Sequence, residues 1–253
     1  MTPRSIDHVA LTVRDLPGMA AFYETALGLV PQGGDDAMRR LGAGDRTLLE
    51  LRHDPQAHPR DPHQAGLFHT AFLLPQRADL GRWLRHAAET GVQLTGASDH
   101  GVSEALYLDD PEGNGIEIYW DRPPSDWVRD GDRIEMFTRR LDLDTLSRAA
   151  SGDWQGAPDG SRIGHVHLQV GDLDRADAFF RGELGLTRTF DGPGGAWYGW
   201  DGYHHHLAGN VWNSRGAGLR DPQMTGLAEI VLDAPDHAGR VLRDPWGTVF
   251  SAL

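Results

Sequence analysis

Apolar and polar positions alternate from His8 to Val13 among β-prone residues, the pattern of a half-buried strand. Asp15 then stands where a helix N-cap belongs. Met19, Phe22, Tyr23 and Leu27 fall on one helical stripe, and Gly28 closes the helix. Residues 47–51 read as a later strand, with Glu50 between leucines. The cycle then starts again. Residues 66–74 form a strand that ends at Pro75, and Asp79 caps a helix through Leu80, Trp83, Leu84 and Ala87 that stops at Gly91. Strands follow at residues 105–108 and 115–120. Residues 5–121 therefore read as a domain of two βαβββ units in series.

The opening strand recurs. Ile6-Asp7-His8-Val9 aligns with Ile163-Gly164-His165-Val166 at an offset of 157, and the same offset holds at Phe22/Phe179, Leu27/Leu184, Gly28/Gly185 and Leu29/Leu186. A second domain is expected over residues 162–253. Its final unit is abbreviated, because Leu232 to Asp244 spans 12 positions where Phe72 to Asp110 spans 38. Its helix should be missing or vestigial. Residues 122–161, rich in Pro, Asp, Gly and Arg, read as a connector with a short helix around residues 141–150. The fold class is α+β: tandem paired βαβββ units in two domains.

Composition narrows the chemistry. Hydrophobic residues make up 39% of the 253 and charged residues 24%, as in a soluble globular protein. A net charge of −13 argues against an extended nucleic-acid surface. No apolar run approaches the ~20 residues that span a bilayer, and the N-terminal residues carry no signal-like segment. A cytoplasmic protein is the expectation. Cysteine is absent, so any metal must be held by carboxylates and by some of the 13 histidines.

The chemistry concentrates in residues 98–117. There His100 and Tyr107 precede a tight Asp110-Pro111-Glu112-Gly113 turn, and Glu117 follows on an apolar strand. His8 and His69 occupy strand positions upstream. Two imidazoles and a carboxylate with positions left open make the facial triad of non-heme Fe(II) oxygen chemistry. A lone strand histidine is more often a hydrogen-bonded core residue. What favours a site is company: in a pseudo-symmetric pair of units, the first and last strands of each flank one cleft. His8, His69, Glu117 and Glu50 take those four places. A carboxylate between leucines is costly unless paired or bound to a cation.

Paired βαβββ units with these residues resemble the vicinal oxygen chelate superfamily, which includes glyoxalase I, bleomycin-resistance proteins and type I extradiol dioxygenases. The spacing from His100 through Leu106-Tyr107, Asp110-Pro111 and Gly113 to Glu117 is similar to the extradiol ring-cleavage signature, departing from it at Ser98. Gly66-Leu67-Phe68-His69 and Gly202-Tyr203-His204-His205-His206 also resemble the CatE-type catechol 2,3-dioxygenase group.

The resemblance implies Fe(II), O2 and a small aromatic diol. His8, His69 and Glu117 would hold the metal, with His100 and Tyr107 beside the substrate and a further histidine as acid/base, for which His53 is nearest by spacing. A glyoxalase-like site would add Glu50 and take Mn(II), Ni(II) or Zn(II). A drug-binding resistance protein is the third reading. In the second half, Glu229 and Ser251 fall where His69 and Glu117 would be, so that domain is expected to be structural or lid-forming. His165, His167, His204, His205, His206 and Glu229 are expected to pack or hydrogen-bond there, with a second metal site as the alternative. A homodimer is compatible with the sheet edges; neither nucleic acid nor membrane is an expected partner.

Overall fold

The computed structural model describes residues 4–253, so part of the N-terminal stretch read as lacking a signal lies outside the described residues. The first unit runs β1 (Ser5–Val13), α1 (Leu16–Ala26), β2 (Val30–Gly34), β3 (Met38–Ala43) and β4 (Arg46–His53). The second runs β5 (Gly66–Leu73), α2 (Arg77–Thr90), β6 (Gly96–Asp99), β7 (Ser103–Asp109) and β8 (Gly115–Asp121). The connector holds the short strands β9 (Arg129–Asp130), β10 (Arg133–Ile134) and β11 (Arg139–Arg140), then α3 (Leu143–Ala149). The third unit is β12 (Arg162–Gln169), α4 (Leu173–Gly182), β13 (Thr187–Gly192), β14 (Gly195–Gly199) and β15 (Leu207–Asn210). The fourth is β16 (Gly226–Asp233), β17 (Val241–Arg243) and β18 (Val249–Ala252), with a single 3-10 turn at Pro235–His237 in place of the helix.

These units pair in an order the repeat did not reveal. A nine-stranded sheet, β11-β6-β7-β8-β5-β12-β15-β14-β13, joins the second unit to the third through the antiparallel pair β5/β12. A seven-stranded sheet, β17-β18-β16-β1-β4-β3-β2, joins the first unit to the fourth through β1/β16. Each sheet thus takes one unit from each half of the chain. The connector supplies the edge strand of the larger sheet, where Arg139 pairs with Asp99.

Local chemistry explains the elements. Asp15 caps α1 by accepting from the Gly18 amide at 3.0 Å. Helix α2 starts earlier than expected: Gln76 is its N-cap, and Asp79 lies in its first turn, accepting back from the Gln76 amide at 3.0 Å. The helices bury one face each, with Met19 and Tyr23 on α1, Leu80 and Trp83 on α2, and Phe179 and Phe180 on α4. Gly81 lets α3 approach α2, since a Cβ there would lie 2.5 Å from the Leu146 carbonyl. The Asp-Pro-x-Gly turn occurs twice. Asp110 accepts from the amides of Glu112 and Asn114, and Asp244 from those of Trp246 and Thr248. Glu112 also accepts from the Arg14 and Asp15 amides, tying the first unit to the second.

Candidate metal centre and cleft

Register creates the site. On the nine-stranded sheet Glu117 of β8 and His165 of β12 both lie opposite Ala71 of β5, one on each side. Side chains in register on neighbouring strands project to the same face, and the methyl of Ala71 leaves room for the longer pair to meet above it. His69, two residues along β5, leans into the same space. Its Nε2 lies 3.0 Å from Glu117 Oε2, and His165 Nε2 lies 3.2 Å from that same oxygen. The Tyr119 ring packs against His165 at 4.9 Å between centroids. Gly164 permits this approach, because a Cβ there would strike the phenol oxygen.

All three residues are buried. Burial by itself would push the Glu117 carboxyl up, but the adjacent His165 and His69 outweigh it and hold that carboxyl well below the usual range. Burial, opposed in part by Glu117, lowers His165. His69 Nε2 is buried with no hydrogen bond, despite its closeness to Glu117. A buried nitrogen without a partner is costly, and here it is aimed at the point the other two donors share. Two imidazole nitrogens and one carboxylate oxygen therefore fit a divalent transition metal with open positions.

His100 and Tyr107 stand on the same cleft. His100 Nδ1–H donates to the Phe137 carbonyl at 2.9 Å, so its Nε2 accepts the Tyr107 hydroxyl proton at 2.7 Å. The connector therefore orients a residue of the second unit. His205 lines the opposite wall, its ring 4.1 Å from that of His165. Burial holds both His205 and His167 well below the ordinary histidine value. The cavity of about 690 Å³ is otherwise mostly apolar, walled by Phe68, Phe137, Phe190, Trp197 and Trp212.

Several expectations need correction. His8 and Glu50 are not in this cleft, because β1 and β4 belong to the seven-stranded sheet. His8 Nδ1 instead contacts Asp7 at 2.7 Å. Glu50 is paired with arginines: Arg52 Nε donates to it at 2.7 Å and Arg40 Nε at 3.0 Å. Burial would raise its carboxyl, yet those arginines hold it below its usual value. His53, also on β4, is half-buried on the other sheet, its Nδ1 3.2 Å from the Asp36 carbonyl, and does not line the cleft in which an acid/base histidine was expected. His204, His205 and His206 precede β15 rather than alternating along it, and His204 and His205 touch through their rings. Nor is the second half confined to a structural role, since it supplies His165 and His205 to the cleft.

The seven-stranded sheet repeats the arrangement without its chemistry. Ser251, Val231 and His8 form the row that matches Glu117, Ala71 and His165. Glu229 matches His69, and Arg52 Nη2 donates to it at 2.6 Å. A guanidinium, covalently part of the chain, takes the place of a bound cation.

Sequence reasoning named His165 and His205 but assigned them elsewhere. A signal was present: units two and three carry His69, Glu117 and His165, whereas unit four, the partner of unit one, has Glu229 and Ser251 where unit two has His69 and Glu117. Among the described residues no helix is long and apolar enough to cross a membrane.

Comparison with known proteins gives the family. The family model of the glyoxalase/bleomycin resistance protein/dioxygenase superfamily matches residues 5–118. The catechol-2,3-dioxygenase of Bacillus subtilis (strain 168) is 38% identical over 236 residues, covering 91% of this chain and 82% of that protein. Biphenyl-2,3-diol 1,2-dioxygenase 3 of Rhodococcus globerulus is 31% identical over 124 residues, 48% of this chain and 65% of that one. Glyoxalase I from Zea mays shares the fold, with a TM-score of 0.57 at 16% identity over 98% of this chain and 92% of that one. With three βαβββ units and an abbreviated fourth, and a relative aligned along most of both chains, this chain belongs to the glyoxalase/bleomycin resistance protein/dioxygenase superfamily.

Proposed function

We propose that the protein is an extradiol ring-cleaving dioxygenase that opens a catechol-type ring beside its two hydroxyls, placing both atoms of O2 in the product. The observation that carries this reading is the convergence of His69 Nε2, His165 Nε2 and Glu117 Oε2 in a cleft that also holds the His100–Tyr107 pair. His69, His165 and Glu117 would hold Fe(II). The bound metal would acidify the diol and supply the redox contact between ring and oxygen. The names of the Bacillus and Rhodococcus relatives support the same chemistry.

The chain's own groups have separable tasks. Aromatic walls clasp the ring and exclude water, which strengthens every charge interaction inside. His205, kept neutral by burial, can accept a diol proton. The proton shared by Tyr107 Oη and His100 Nε2 is available to an oxyanion developing at the other end of the cleft. Burial, with Glu117 adding to it, pushes the Tyr107 phenol well above its usual value, so it stays protonated for that task. A glyoxalase-type site would need a fourth ligand such as Glu50, which lies on the other sheet.

The test is anaerobic loading with Fe(II), then catechol and air. A yellow ring-fission product with one O2 consumed per catechol is expected. Metal retention without oxygen uptake, together with turnover of a hemithioacetal under nitrogen, would favour the isomerase reading. Tight ligand binding without metal would leave a sequestering protein.

A further inference from the structure

We propose that Asp121 and His204 are positioning residues that set the tautomer of His205, so that its Nε2 presents a lone pair to the cleft. The proposal rests on the dioxygenase reading for its kinetic consequence, but its geometric part stands alone. Asp121 ends β8, the strand that carries Glu117. Its Oδ1 lies 2.8 Å from His204 Nε2, and its Oδ2 accepts the Tyr203 hydroxyl at 2.7 Å. His204 Nδ1 lies 2.7 Å from His205 Nδ1. His204 is fully buried, with Trp127 packed at 5.0 Å between centroids and Tyr203 at 4.1 Å.

Only one proton can lie between the two Nδ1 atoms, and the carboxylate decides whose it is. An ionised carboxylate only accepts, so a neutral His204 must place its single proton on Nε2. Its Nδ1 is then a lone pair and accepts from His205 Nδ1–H. His205 Nε2 is left bare, on a ring that lines the cavity. The opposite order would set two lone pairs against each other at 2.8 Å, at a buried histidine where an unpaired acceptor is expensive. The hydrogen bond made by one ring nitrogen thus assigns the role of the other.

The experiment is nitrogen-15 NMR of the histidine rings in the full chain treated with Zn(II), beside steady-state kinetics of the Fe(II)-loaded protein. The wild type should show a protonated Nδ1 and an unprotonated Nε2 at His205. In Asp121→Asn the side-chain amide can donate to His204 Nε2, so the chain should reverse and His205 should carry its proton on Nε2. That variant should keep its metal and its KM for catechol, while kcat falls about 10²–10⁴-fold, the range for general acid–base catalysis. Asp121→Glu should recover the wild-type tautomer and part of kcat. A protonated Nε2 at His205 in the wild type would overturn the proposal, whatever the variants do. So would a reversed tautomer in Asp121→Asn with kcat unchanged in an active enzyme. The expected NMR pattern in a protein that fails to cleave catechol would uphold the tautomer chain and reject the dioxygenase reading instead.

Discussion

At the scale of residues, the cleft works by leaving small side chains between reactive ones and by fixing protons. Ala71 lets Glu117 and His165 meet across it, and the Phe137 carbonyl decides which nitrogen of His100 faces Tyr107. Tyr107→Phe should therefore keep its metal yet lower kcat about 10²–10⁴-fold; unaltered turnover beside normal metal content would remove Tyr107 from the chemistry. Buried histidines also make the fold acid-sensitive. Burial lowers His206 to about 3, and its Nδ1 accepts from the Trp200 amide. An unfolded histidine takes up its proton near about 6.5. Between those values the unfolded chain holds the extra proton, so stability falls as pH drops from about 6.5 toward 3. Denaturant titrations at several pH values should show that fall in the metal-free protein, and a shallower one in His206→Asn. Equal slopes would mean His206 charges in the folded state.

At the scale of elements, strand positions were legible because alternation and caps are local signals. Residues 8–13, 47–51 and 66–74 fall within strands β1 and β4 and, for the last, along β5. Pairing between distant strands left no such mark. The sequence placed His8 beside His69 because their units are adjacent in the chain, whereas β5 pairs with β12. The costly carboxylate at Glu50 was a sound physical clue with two solutions, and the fold uses Arg52 and Arg40 rather than a metal. Arg52→Ala should consequently destabilise the protein by about 1–2 kcal/mol, since Glu50 keeps Arg40 and Glu229 keeps Ser251 while each loses one charge-assisted hydrogen bond. Ring cleavage per folded molecule should be unaffected. Chemical denaturation measures the first quantity, and an unshifted midpoint would contradict the view of Arg52 as the cation of the seven-stranded sheet.

At the scale of the whole molecule, two sheets built from repeated units carry matching rows of residues with different chemistry. One keeps imidazoles and a carboxylate around open space; the other is filled by an internal ion-pair network. The fold class was legible from the repeat across the chain, and the His69, Glu117, His100 and Tyr107 group from residues 66–117 alone, since those four lie within one unit. The remaining donor could not, because it comes from β12 some fifty residues further on, across the connector. The most direct test of the account is to load His165→Ala and His8→Ala with Fe(II) side by side, and to measure bound metal and catechol-dependent oxygen uptake in each. The expected result is loss of both in His165→Ala and retention of both in His8→Ala. Metal and activity kept in His165→Ala but lost in His8→Ala would contradict it, and would move the centre to the seven-stranded sheet.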